Sequence, residues 1–168
     1  MFYKIIIEQF SKSLSNLSDI LEKTAKQAEA KKVDYTVLLN TRLIADQFTL
    51  LRQVQIACDT AKLAAARLAG KDAPVHDDKE ASLSEIQERI ASVVSYLKSY
   101  APNDFDAAAE RKITQPRWEG KYLTGEEYLL NHAIPNIYFH ITTAYAILRS
   151  NGFEIGKKDY LGELPYKI

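Results

Sequence analysis

Apolar residues recur at three- and four-residue steps through most of this chain, the spacing of helices that bury one face. Ile6, Phe10, Leu14, Leu17, Ile20 and Leu21 predict a first long helix over residues 2–31. A short helical piece follows over 35–39, with Asp34 placed to cap it. A second long helix is read from about 41 to 68, rich in strong helix formers and closed by Gly70. Leu83, Ile86, Ile90, Val93, Val94 and Leu97 mark a third, capped by Ser82 or Ser84 and ending before Pro102. A fourth starts at Thr124, where Glu127 three residues on completes a capping box. Pro135 should kink or split it, and Asn151-Gly152 stops it.

The pattern changes in RKITQPRWEGKYLTG, where polar and apolar residues alternate around Glu119-Gly120; this predicts a small β-hairpin before the last helix. The tail beyond 152 reads as irregular, tacked down by its aromatics. Short connections favour antiparallel neighbours, so the expected architecture is all-α: an up-down four-helix bundle forming one domain over residues 1–168. The fourth helix is apolar on nearly every face, which calls for cover from the tail or from a second copy. A homodimer is therefore expected.

Composition narrows the class. Lys+Arg and Asp+Glu both number 22, so there is no basic excess of the kind nucleic-acid binding needs, and no acidic tail. No window approaches the roughly 20 apolar residues of a membrane span, and MFYKIIIEQF is too short an apolar run for a signal peptide. The single cysteine, Cys58, permits no internal disulfide. A soluble, cytoplasmic protein is the expectation, with neither nucleic acid nor membrane as partner.

The segments RLIADQFTLLRQVQIACD, AARLAGKDAP and FHITTAYAILRSNGFEIGKKDYLG closely resemble a family of uncharacterised bacterial proteins, a domain of unknown function grouped with the DinB/YfiT-like metalloenzyme superfamily. The resemblance covers the whole chain. It implies a four-helix bundle with up-down-down-up connections, often dimeric, and supplies no activity. The broader superfamily typically holds a divalent metal with three histidines, one on the second helix and two on the fourth, four residues apart. Several of its enzymes use that metal to activate a low-molecular-weight thiol. Here His140 matches the second histidine of the pair. The position of the first is Asn136, and the second helix has no histidine; its nearest polar candidates are Asp46 and, two turns on, Gln53.

The only site-like constellation in the chain lies on the fourth helix. At 100° per residue, His132, Asn136, His140 and Thr143 fall within an arc of roughly 80°. Such a stripe on an apolar helix must find partners or bind something. Three readings follow. Asp46 and His140, with His132 as a third ligand, could hold a divalent metal, although eight residues put the histidines roughly 12 Å apart along the axis. Alternatively, His140 could pair with Asp46, and Asn136 with Gln53, in a buried network. Third, Tyr138, Tyr145 and Trp118 could line a metal-free pocket for a small molecule. His76 beside Asp77 and Asp78 reads as a solvated turn capping the next helix, and Cys58 as an inert buried thiol. No cofactor is called for unless the metal is real. The expected function is a metal-free binding or interaction protein, or a degenerate-site homodimer. The alternative is a divalent-metal-dependent enzyme of thiol transfer or hydrolysis with an altered ligand set.

Overall fold

The structure, a computed structural model, describes residues 1–167. Four long helices carry it. A π-helical start, Lys4–Gln9, runs into α1 (Phe10–Ala30). The short α2 (Tyr35–Leu39) is capped by Asp34, whose carboxylate accepts from the Thr36 amide at 2.9 Å. Then come α3 (Leu50–Ala69), α4 (Leu83–Lys98), a single turn α5 (Gly125–Tyr128), α6 (Ile134–Ser150) and the short α7 (Lys157–Leu161). The expected capping box at Thr124/Glu127 starts α5, and of the two serines offered for α4 it is Ser82 that caps, in a second box with Glu85. Gly70, at φ 68°, ends α3 in the left-handed conformation that costs glycine nothing.

Helix α1 packs on α4 and α6, and α3 packs on the same two, so the four share one core. Phe10, Leu14, Leu17 and Leu21 of α1 meet Ile86, Val93 and Leu97 of α4 and Ile137, Ile141 and Leu148 of α6 there, all essentially without solvent exposure. Each such burial favours folding by roughly 1.5–3 kcal/mol. The contribution of α3 is different: Ala57, Ala61, Ala64 and Ala65 are all fully buried. Small side chains let the neighbouring helices approach closely, which brings polar side chains of α3 within hydrogen-bonding reach of α6.

Three sequence expectations are corrected. The second long helix begins at Leu50, not near 41. Thr49 caps it, accepting from the Arg52 amide at 3.3 Å, and residues 41–49 form an irregular loop. The helical spacing there was misleading because Leu43, Ile44 and Phe48 are exposed and face no core. No strand occurs among the described residues; the expected hairpin is one antiparallel bridge, Ile113 to Leu123, enclosing a 3₁₀ turn Pro116–Trp118. Pro116, with no N–H to donate, limits any ladder. The tail is not wholly irregular: α7 forms because Asp159 accepts from the Gly156 amide at 2.8 Å and pairs with Lys23 of α1 at 2.7 Å.

Pro135 neither breaks nor ends the last helix. A π-helical stretch, Leu129–Ala133, precedes it and leads continuously from α5 into α6. The proline ring cannot donate to the carbonyl of Asn131, and the wider turn absorbs that missing bond. No helix among the described residues is long and apolar enough to cross a membrane.

Candidate functional site

Helices α3 and α6 run antiparallel, and three polar contacts step along their seam. Gln53 meets His140, with Oε1 2.6 Å from Nδ1. Asn136 donates its amide to Thr60 Oγ1 at 2.7 Å. Arg67 donates to the Tyr128 hydroxyl at 3.1 Å and lies 5.9 Å from that ring's centre. Gln53, Thr60 and Arg67 are spaced by seven residues, so they form one stripe on α3 matching a stripe that runs from Tyr128 at the end of α5 to His140 on α6.

These contacts fix the histidine tautomers. Gln53 Nε2 donates to the Phe48 carbonyl at 3.2 Å, so its Oε1 is the acceptor for His140. His140 Nδ1 therefore carries the proton, and Nε2 keeps a lone pair without a protein partner. At the other end, Arg117 donates to His132 Nε2 at 3.0 Å. His132 Nδ1 then carries its proton, buried and without a partner. The His132 ring stacks on Tyr128 at 5.2 Å, and Trp118 meets both edge-on.

Between the helices and residues 115–117 lies a cleft of about 520 Å³, within the size range of small-molecule sites. His140 and Phe48 line one end and His132, Tyr128, Arg67 and Arg117 the other, with Ile56 and Leu63 between. Both imidazoles are neutral at physiological pH. Burial, reinforced by the charge of Arg52, lowers the His140 pKa to about 4. Burial and then the charges of Arg117 and Arg67 lower that of His132.

Other expected site residues lie elsewhere. Asp46 is exposed in the loop before α3 and does not face His140, because the helix that was to carry it starts four residues later. Asn136 pairs with Thr60 and not Gln53, because the α3 register puts Gln53 two turns away from Thr60, opposite His140. Thr143 is buried and donates to the Phe139 carbonyl within its own helix. Tyr145 donates to the Ile155 carbonyl, towards the tail, and neither it nor Tyr138 lines the cleft. His76 Nδ1 lies 2.9 Å from Lys62 Nζ, apart from the cleft. Cys58 is fully buried, and burial pushes its thiol up to about 12. Thr60, Tyr128, Arg52, Arg67 and Arg117 were missed, although the heptad spacing of Gln53, Thr60 and Arg67 could have shown the facing stripe.

The three-histidine metal of the wider superfamily does not suit these residues. Beside His140 stand two carboxamides, Asn136 and Gln53, whose oxygen is already committed to His140, and Asp59, the carboxylate that lines the cleft, is paired with Arg89 and Lys62. Neutral amides are poor partners for the borderline-soft ions that imidazole selects. Among the described residues, no group of three His, Cys, Asp or Glu side chains is placed to hold one ion.

Comparison with known proteins agrees with this architecture. The chain matches the family model DUF1993, a domain of unknown function, over residues 2–161. It is similar to a crystal structure of a DinB family member from Shewanella denitrificans, with 60% identity and a TM-score of 0.97, covering 100% of this chain and 96% of that one. No curated protein matches. The chain thus belongs to the DUF1993 domain-of-unknown-function family, an uncharacterised DinB-like family.

Proposed function

We propose that this protein is a single-domain four-helix bundle that binds a small molecule, without a metal, in the cleft between α3 and α6. The observation that carries this reading is His140: Gln53 holds its Nδ1–H at 2.6 Å, leaving an unprotonated Nε2 to accept from a ligand in a cleft of about 520 Å³. The alternative, a metal-dependent enzyme with an altered ligand set, would have to hold its ion on that single nitrogen, on carboxamides and on Asp59, whose carboxylate is already paired with Arg89 and Lys62.

Imidazole ¹⁵N NMR of the full chain tests the choice. The expected spectrum shows His140 as the neutral Nδ1–H tautomer, unmoved by equimolar zinc, manganese or nickel, while some members of a fragment mixture shift its Nε2. Stoichiometric metal binding that shifts His140 Nε2 would overturn the reading. A homodimer remains a second proposal, favoured by Phe139 at 54% and Ile44 at 60% exposure; a strict monomer by light scattering at micromolar concentration would remove it.

A further inference from the structure

We propose that the end of the cleft bounded by Arg67, Arg117, Tyr128 and His132 is a clamp for the carboxylate or phosphate of an organic anion, whose body extends towards His140. This rests on the small-molecule reading above and names the ligand class. Neither Arg67 nor Arg117 forms an ion pair with a carboxylate among the described residues. Each makes one side-chain hydrogen bond, to a neutral acceptor: the Tyr128 hydroxyl and His132 Nε2. A guanidinium has five N–H donors, so most are uncommitted. The acceptors belong to one stacked ring pair, which aims both cations at the same place.

The other charges of the cleft are already matched. Asp59 is held by Arg89 at 2.8 Å and Lys62 at 2.9 Å, and Arg52 by Asp78 at 2.5 Å. The far end therefore carries two unbalanced positive charges beside a neutral histidine whose buried Nδ1–H has no partner. A planar fork of this kind suits bidentate carboxylate or phosphate. The remainder of the cleft argues against a bare inorganic ion. Ile56 and Leu63 give it an apolar wall, and His132 and His140, eight residues apart, set a span of roughly 12 Å along α6.

The test is isothermal titration of the full chain and of Arg67→Gln, Arg117→Gln and Lys26→Gln with three probes: benzoate, phenyl phosphate and inorganic phosphate. At least one aryl anion should bind at least about tenfold more tightly than inorganic phosphate, and the tighter of the two identifies the head group. Each arginine change should weaken it by at least about tenfold, with melting temperatures within about 2 °C of the parent. Lys26→Gln, which removes a positive charge from an exposed position on α1 outside the cleft, should leave the anion's affinity within about threefold. No detectable binding of any probe, equal affinity for inorganic phosphate, or affinity indifferent to both arginine changes would overturn the clamp. None of these outcomes touches the His140 tautomer and metal test, so the two proposals fail separately.

Discussion

Two polar regions lie along α3, and they treat arginine in opposite ways. Towards α4, Arg89, with a side chain only 1% exposed, receives Asp59 at 2.8 Å, Asp78 at 2.5 Å and Glu80 at 3.0 Å. Arg52 and Lys62 complete a cluster of three cations and three carboxylates. This clasp fastens the irregular segment 71–82 across α3 and α4. On the α6 side, Arg67 and Arg117 meet only a phenol and an imidazole. Buried charge is tolerated when paired, so the clasp accounts for itself as structure. In the cleft Arg67 is partly buried and Arg117 exposed, so water rather than carboxylate faces their free donors, and those donors are open to a ligand.

The sharpest way to break this contrast is to remove Arg89. Arg89→Met keeps the bulk of the side chain but takes a cation from three carboxylates and leaves Glu80 with none, and the expected loss is about 3 kcal/mol or more. Urea denaturation should show a lower midpoint at an unchanged slope. A loss under about 1 kcal/mol would mean that the clasp is a solvated surface cluster, and the contrast with the cleft would fail.

Acid should separate the two regions next. His140 titrates at about 4 in the fold against an ordinary value of 6.5. The unfolded chain therefore takes up a proton first, and stability that is complete above about pH 6.5 drains away as pH falls towards 4. The shift corresponds to about 3 kcal/mol. His132 and His76 are lowered too and add to the same window. For Asp78 and Glu80, burial raises the pKa, but hydrogen bonds and the charge of Arg89, with Arg52 for Asp78, lower it further. Their contribution is complete above the ordinary carboxylate range and is lost only below it. Urea titrations from neutral pH to about pH 4 should show a falling midpoint that is markedly flatter in His140→Gln. Equal slopes for the two proteins would show that His140 is not held neutral by the fold.

Much of the fold was legible because its signals are local: the caps at Asp34, Ser82 and Thr124, the glycine at Gly70, and the apolar spacing of α1, α4 and α6. The errors fell where tertiary context overrides pattern. Leu43 and Ile44 have helical spacing but no core to face, and the alternation around Trp118 lacks a partner strand. The site was half legible. Periodicity singled out His132, Asn136 and His140, and Gln53 was a named candidate. Their pairing depended on the α3 register, which a helix start misplaced by nine residues was bound to distort. Arg67 and Arg117 are 50 residues apart, and that neither has a carboxylate beside it is a fact of three-dimensional placement which no spacing encodes.

The smallest expected effect is also the most discriminating. If Arg67 and Arg117 serve a ligand, the empty fold should not need them. Arg67→Gln with Arg117→Gln should change stability by less than about 1 kcal/mol, the lost hydrogen bonds and the Tyr128 contact being offset by relieved repulsion. That relief should grow as salt is lowered, since screening weakens repulsion between partly exposed cations. Thermal melts of parent and double variant at low and moderate ionic strength measure both terms. A destabilisation as large as that of Arg89→Met would make the cleft arginines structural and erase the distinction between the two faces of α3. Near-neutral stability together with lost aryl-anion affinity would place their role in binding alone.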